Sequence, residues 1–259
     1  MVRTYVVTGS ASGIGKATRD LLIEGGHRVI GVDVAHADVT VDLGTAAGRT
    51  ELVDRVWDLS DGTVDAVLAI AGLATPTPAT VAVNFFGTVA TLQGLRPLLA
   101  GSPAPRAVAV SSMAALFPPD DALLEALRAG DEARALERAT QLAADPQTGA
   151  LIYGTAKLSL SRWIRRAAPT ADWAGAGIAL NAIAPGVVRT PMTADLTATE
   201  EGRHQLAQMV PMPLNGFFEP KDAAELLVWL SSEANAHLCG QVIYIDGGSD
   251  AVMRGDSVW

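Results

Sequence analysis

A chain of 259 residues with a net charge of −9, from 19 basic and 28 acidic side chains, is long enough to bury a core without disulfide or metal staples. The acidic balance argues against nucleic-acid binding through phosphate neutralisation as a main role. One cysteine, Cys239, excludes an intrachain disulfide, and the scattered His27, His36, His204 and His237 offer no metal site.

Met1–Thr4 leads straight into an apolar segment, without a signal-peptide layout, and no apolar run approaches the roughly 18 residues of a membrane span. A cytoplasmic protein with no membrane contact is expected. The first strand, Thr4–Thr8, runs into Thr8-Gly9-Ser10-Ala11-Ser12-Gly13-Ile14-Gly15 and then a helix over Ile14–Glu24. Glycines at 9, 13 and 15 let the backbone turn tightly and approach a pyrophosphate without interference from a Cβ. The helix that follows offers free N–H groups and its positive dipole end to the phosphates. Gly9, Ser12, Gly13, Ile14 and Gly15 are therefore candidate contacts of a dinucleotide. A second strand, Arg28–Val32, ends at Asp33, close to the spacing of about 20 residues at which a carboxylate accepts bonds from the ribose hydroxyls of NAD. Such a carboxylate repels the 2′-phosphate of NADP, and Ser12 brings no positive charge to offset it. NAD is the expected cofactor.

Further along, a helix is expected over Ala46–Leu59 and a strand over Val64–Ile70, which ends in Ala71-Gly72. Helix Val81–Leu99 carries Asn84, a polar residue in an apolar stretch; a satisfied core amide and a functional amide fit it equally well. Ser111-Ser112 follows strand Ala107–Val110 at the carboxyl edge of a sheet. A hydroxyl there either meets a substrate oxygen or caps a turn. Pro118–Gly149, rich in Ala, Leu, Glu and Arg, reads as two helices joined near Gly130, with an acidic entry at Asp120-Asp121. Tyr153 and Lys157 open the next helix, Leu151–Arg166, and their four-residue offset puts both on one face. A phenol with a pKa of about 10 is a poor base at neutral pH, whereas a nearby ammonium favours its phenolate, as would a positive nicotinamide ring. Lysine and tyrosine occur only three times each, so this spacing rarely arises by accident.

Strand Ile178–Ala182 precedes Pro191–Phe218, whose Met192, Leu196, Met209, Met212, Leu214, Phe217 and Phe218 suit either an ordinary core loop or a substrate lid. Helix Pro220–Ser232 and strand Val242–Ile245 complete the pattern. The strands are continuous apolar runs, as parallel strands covered on both faces require. Their alternation with helices predicts a Rossmann-type doubly wound parallel α/β sheet, in a single domain over residues 1–259 with an insertion at about 118–149 and a lid at about 191–218.

Together, the Thr8–Gly15 loop, Asn84, Ser112, Tyr153 and Lys157 resemble the short-chain dehydrogenase/reductase family over nearly the whole chain. The resemblance implies that Ser112 and Tyr153 hold a substrate oxygen and that Tyr153 exchanges its proton. It implies that Lys157 lowers the tyrosine pKa and bonds the nicotinamide ribose, while Asn84 supports a water relay. By the same likeness, Asp42 meets the adenine amino group, Leu43 brackets the ring, and Ala71-Gly72 passes the adenosine ribose. Pro185-Gly186, with Val188 and Thr190, is similar to the segment that holds the nicotinamide carboxamide. Asp65 matches the aspartate that commonly opens the fourth strand.

Two features depart from the family pattern. Ala69 and Ile70 stand where two asparagines are usual, which puts a sheet-bracing hydrogen bond in doubt, and Pro118–Gly149 widens the spacing from Ser112 to Tyr153. With Val83–Gly87 and the tail Asp246–Arg254, these features resemble one bacterial subgroup, the NAD-dependent 3α-hydroxysteroid dehydrogenases/carbonyl reductases. That likeness implies interconversion of a secondary alcohol and a ketone on a bulky hydrophobic small molecule. Non-steroid cyclic or terpenoid alcohols are the alternative substrates, and a non-catalytic nucleotide sensor is the contrasting class. A homodimer or homotetramer is expected, with the insertion either altering an interface or packing on its own subunit.

Overall fold

Residues 1–257 are described in the computed structural model. Seven parallel strands form one sheet: β1 Thr4–Thr8, β2 Arg28–Asp33, β3 Val39–Thr40, β4 Ala66–Ala69, β5 Arg106–Val110, β6 Ala179–Pro185 and β7 Val242–Ile245. Their order is β3-β2-β1-β4-β5-β6-β7, so the winding reverses between β1 and β4. Open α/β sheets bind ligands at the carboxyl ends beside such a reversal. Register runs Thr4 against Arg28 and Arg106 against Ala179.

The helices are α1 Gly13–Glu24, α2 Ala46–Ser60, α3 Pro78–Val81, α4 Thr88–Leu95, α5 Asp121–Ala129, α6 Glu132–Ala143, α7 Pro146–Ala167, α8 Ala194–Thr197, α9 Glu200–Met209, α10 Pro220–Leu230 and α11 Ser249–Arg254. Successive strand residues point to opposite faces, and two cores result. Val6, Val67 and Ala107 face α2, α4, α7 and the insertion, whereas Tyr5, Val7, Leu68 and Val108 face Leu22 of α1 and Ala223, Leu227 and Leu230 of α10.

Several boundaries differ from the sequence expectation, each for a local reason. The two-residue β3 is too short to show a period. The expected helix over Val81–Leu99 is broken into α3, a π-helical stretch Ala82–Gly87, α4 and a 3₁₀ stretch Arg96–Gly101 around Pro97. The long helix begins at Pro146 rather than Leu151, because Asp145 accepts the Gln147 N–H at 2.7 Å and Pro146 suits the first helical position. Pro146–Gly149, expected as the end of the insertion, is thus the first turn of the helix that carries Tyr153.

The insertion is the expected helical pair. Asp120 caps α5 by accepting the Leu123 N–H at 2.8 Å, Gly130 turns at φ 71°, and Asp131 caps α6. Its apolar face packs on its own chain: Leu123, Ala126, Leu127, Ala135, Ala139 and Leu142 are all buried in the larger core. Burying a leucine stabilises by about 1.5–3 kcal/mol. Leu127→Ala is therefore expected to cost about 2–4 kcal/mol in denaturant unfolding. An unchanged midpoint would show that the insertion stands apart from the core.

Asp65 opens β4 as expected and ties strands together at their amino edge. Its carboxylate accepts the Thr4 N–H at 2.8 Å and the Ser102 hydroxyl at 2.6 Å.

Candidate active site

The glycine loop needs its glycines. Gly9 and Gly13 sit at φ 71° and 52°, in the left-handed region that side chains rarely adopt. A Cβ on Gly15 would lie 2.1 Å from the Gly9 carbonyl oxygen, and one on Gly9 would lie 3.0 Å from the Ala71 backbone. Ser12 is the N-cap residue of α1, yet its side chain makes no capping bond, so the first-turn N–H groups are left unclaimed. This uncapped helix start and the Cβ-free cradle fit the pyrophosphate of a dinucleotide. At the end of β2, the Asp33 carboxylate accepts the Ala11 N–H at 2.9 Å and the Val34 N–H at 2.7 Å, which fixes it beside that loop.

The missing asparagines are replaced by another brace. Thr8 Oγ1 accepts the N–H groups of Ile70 at 2.9 Å and Ala71 at 3.0 Å, locking the end of β4 to β1. Asn84, fully buried in the π-helical turn, grips the next residues. Its Oδ1 accepts the Leu73 N–H and its Nδ2 donates to the Leu73 carbonyl, both at 2.8 Å. A Cβ on Gly72 would lie 3.1 Å from Asn84 Oδ1 and 3.5 Å from Lys157 Nζ, so the amide and the ammonium flank one glycine.

Ser112 meets both readings of its sequence. Its Oγ accepts the Ala114 N–H at 3.1 Å, capping the 3₁₀ stretch Met113–Leu116, and it also lines the cleft. Ser111 borders the cleft too, and its hydroxyl bonds Ser161 Oγ at 2.7 Å and the Lys157 carbonyl at 3.1 Å. From α7, Lys157 donates to the Val110 carbonyl at 2.7 Å and sits 5.8 Å from the centre of the Tyr153 ring. Lys157 is 3% exposed, and burial pulls its ammonium down to about 8.

Burial pushes the Tyr153 phenol above its ordinary value, opposed in part by the nearby Ser112 hydroxyl. The sequence led to the expectation that the Lys157 ammonium and a positive nicotinamide ring together bring the phenol down towards the working range. In the protein alone, desolvation raises the phenol, and the Lys157 ammonium is turned to the Val110 carbonyl.

One cleft at the carboxyl edge brings most of the expected residues together. Gly9, Ser12, Gly13, Ile14, Gly15, Ala71, Gly72, Ser112, Tyr153, Lys157, Pro185, Gly186, Val188 and Thr190 all border it. Asp33, Asp42, Leu43 and Asn84 do not. Asp42 is exposed and accepts the Gly44 N–H at 2.8 Å, while Leu43 is buried. Thr193 also borders the cleft and escaped the sequence reading. Its hydroxyl donates to the Val188 carbonyl at 2.6 Å and accepts the Thr190 N–H at 3.1 Å. The spacing Thr190-x-x-Thr193 around Pro191 was the available signal, a helix-start pattern.

Pro191, Met192 and Thr193, at the start of Pro191–Phe218, border the cleft. Helices α8 and α9 contain no buried residue, and Met192, Leu196, Met209 and Leu214 are exposed. The segment is anchored through Val210 and Met212, which pack on Met113 and Val187. Among the described residues, no helix is long and apolar enough to cross a membrane, and no cluster of metal-ligating side chains is found.

Comparison with known proteins agrees with this geometry. Residues 136–250 match a family model described as Enoyl-(Acyl carrier protein) reductase. The chain is 37% identical to a 3-alpha-hydroxysteroid dehydrogenase/carbonyl reductase of Comamonas testosteroni, over 96% of this chain and 97% of that protein. A cis-4-hydroxycyclohexanecarboxylate dehydrogenase of Sinomonas cyclohexanicum is 30% identical over 96% of this chain and 97% of that protein. The crystal structure of a 3-alpha-hydroxysteroid dehydrogenase from Pseudomonas sp. B-0831, complexed with NADH, superposes with a TM-score of 0.88 and 39% identity. It covers 98% of this chain and 99% of that one.

Proposed function

The chain belongs to the short-chain dehydrogenase/reductase family, and on that premise we propose that it interconverts a secondary alcohol and a ketone with NAD, on a 3α-hydroxysteroid or similar bulky carbonyl compound. It is an oxidoreductase with a nicotinamide dinucleotide cofactor. The observation that carries the proposal is the single cleft in which Ser112, Tyr153 and Lys157 face the glycine loop and the uncapped start of α1.

When bound, the nicotinamide supplies hydride exchange with the alcohol carbon. The residues of this chain do the rest. Gly9, Gly13, Gly15 and the first N–H groups of α1 hold the pyrophosphate, and Asp33 accepts from the adenosine ribose. Val188 and Thr190, which border the same cleft as Gly13, would hold the carboxamide. Ser112 Oγ donates to the substrate oxygen and stabilises the charge that develops there. Tyr153 Oη takes the alcohol proton in oxidation and returns it in reduction. Lys157 keeps a positive charge behind the phenol below about pH 8. Asn84 holds Leu73, and through it the Gly72 backbone beside Lys157, as a positioning residue. Burial raises the phenol in the protein alone, and Lys157, joined by the positive charge that a bound oxidised nicotinamide would supply, favours its phenolate.

Asp33 carries the choice of NAD over NADP. In Asp33→Ala, the ratio of kcat/KM with NAD to that with NADP is expected to fall about a hundredfold or more, read in parallel initial rates. An unchanged ratio would move the discrimination elsewhere.

The exposed apolar side chains around the mouth favour a large apolar substrate over a small one. A 3α-hydroxysteroid is expected to give the higher kcat/KM when compared with a simple cyclic alcohol. The opposite order would assign the chain to small cyclic alcohols, the substrate type named for the Sinomonas relative.

The assembly we propose is a homodimer or homotetramer in the cytoplasm. The outer strand β7, whose Val242–Ile245 are all half-buried, is the surface that favours self-association, because the apolar face of the insertion is already used internally.

A further inference from the structure

The insertion is bonded at one end to α7, the helix of Tyr153 and Lys157, and at the other to α2. At the catalytic end, the Asp120 N–H donates to Thr155 Oγ1 on α7 at 3.0 Å, and Arg138 holds the Asp120 carboxylate through two bonds of 3.0 and 2.7 Å. At the other end, Glu132, the first residue of α6, receives a two-bond fork from Arg49 of α2, at 2.8 and 2.6 Å. The same guanidinium donates to the Leu43 carbonyl at 2.8 Å and the Gly44 carbonyl at 3.1 Å. Its carbon lies 5.9 Å from the centre of the Phe86 ring. With a side chain only 11% exposed, Arg49 has its charge balanced by one carboxylate, that of Glu132.

The backbone it grips follows on from Asp33, the residue that the proposed function sets against the adenosine ribose. Val41 donates to the Asp33 carbonyl at 2.9 Å, so Asp42–Gly44 continues from the strand next to the ribose-reading position at the carboxyl edge. That segment is tightly held elsewhere too. A Cβ on Gly87 would lie 2.9 Å from the Leu43 carbonyl, and one on Gly48 would lie 2.1 Å from the Asp42 carbonyl.

We infer that the insertion sets nucleotide affinity at a distance: Glu132, acting through Arg49, positions the Asp42–Gly44 wall against the adenine of the cofactor. Glu132 and Arg49 are positioning residues; neither touches the reacting atoms. The inference rests on the nucleotide-binding reading given under Proposed function. Its physical basis is the fixed geometry of the fork. A planar guanidinium with four partners can hold one loop conformation, and a loop already in place binds without the cost of ordering it.

The test uses the full-length protein and its variants Glu132→Gln, Arg49→Lys and Arg49→Met. Calorimetry reads the dissociation constants of NAD and of AMP, which has the adenine end alone. Steady-state rates read kcat and the alcohol KM at saturating NAD. Glu132→Gln keeps the shape and removes the charge, and it is expected to weaken NAD and AMP about tenfold in parallel. Its kcat and alcohol KM are expected to stay within about twofold. Arg49→Lys restores the charge without the fork and is expected to resemble Arg49→Met. A lowered thermal midpoint with unchanged NAD and AMP affinity would reduce the cluster to a structural brace and overturn the inference. So would an equal loss in the alcohol KM, which signals general distortion. If the unsubstituted protein binds neither NAD nor AMP, the parent reading has failed, and that outcome is visible before any variant is made.

Discussion

Tyr153→Phe is expected to bind NAD within about twofold of the unsubstituted protein while losing about 10³-fold or more in kcat. The ring is kept, so the packing of α7 against the cleft survives; only the hydroxyl that exchanges a proton is removed. Because burial raises the phenol in the protein alone, the tyrosine is a poor base until a positive charge joins it. Alcohol oxidation should therefore rise with pH. The rising limb is expected at lower pH in kcat, which reports the cofactor-bound form, than in kcat/KM for NAD, which reports the free enzyme. Retained turnover in the phenylalanine variant would remove Tyr153 from the chemistry. Coincident limbs would remove the cofactor from the tuning of its pKa.

Lys157→Met is expected to lose activity by a similar factor and, unlike most substitutions in a core, to stabilise the protein without cofactor. An ammonium 3% exposed, with a pKa drawn from 10.5 to about 8, is held at a cost on the order of 3 kcal/mol at neutral pH. Methionine of similar length removes that cost but strands the Val110 carbonyl, at about 1 kcal/mol. The net gain of about 1–2 kcal/mol should raise the thermal midpoint by several degrees. The sign of the pH dependence follows from the depressed pKa. Between about pH 8 and 10.5 the unfolded chain binds more protons than the folded one, so the stability of the unsubstituted protein should climb across that window. The Lys157→Met protein should lack this climb. A destabilised variant with an unchanged pH profile would mean that the lysine is a structural anchor rather than a strained functional group.

Much of this site was legible in the sequence because its chemistry is local. Gly9, Gly13 and Gly15 announce a turn that no other residue tolerates, and the Tyr153–Lys157 offset is fixed by helical geometry. The strand ending at Asp33 needed only a continuous apolar run. What escaped depends on contacts across the fold. Thr8 bracing Ile70 and Ala71 is a bond between separate strands, with no pattern in either segment. Asn84 looked ambiguous because its meaning lies in a π-helical turn, and a π turn leaves no period of its own. The direction of the Tyr153 shift depended on burial set by residues far along the chain, and a spacing argument carries no desolvation. Likewise, the Arg49–Glu132 fork joins α2 to an insertion read only as two helices and a turn.

The most direct test of the account is a single-turnover reduction, with enzyme in excess over NADH and a 3-ketosteroid added. Bound NADH is expected to be consumed stoichiometrically and the 3α alcohol to form, with the rate collapsing in Tyr153→Phe. Persistence of the NADH signal while calorimetry shows both ligands bound would contradict it, leaving a cleft that holds nucleotide and steroid without reacting them.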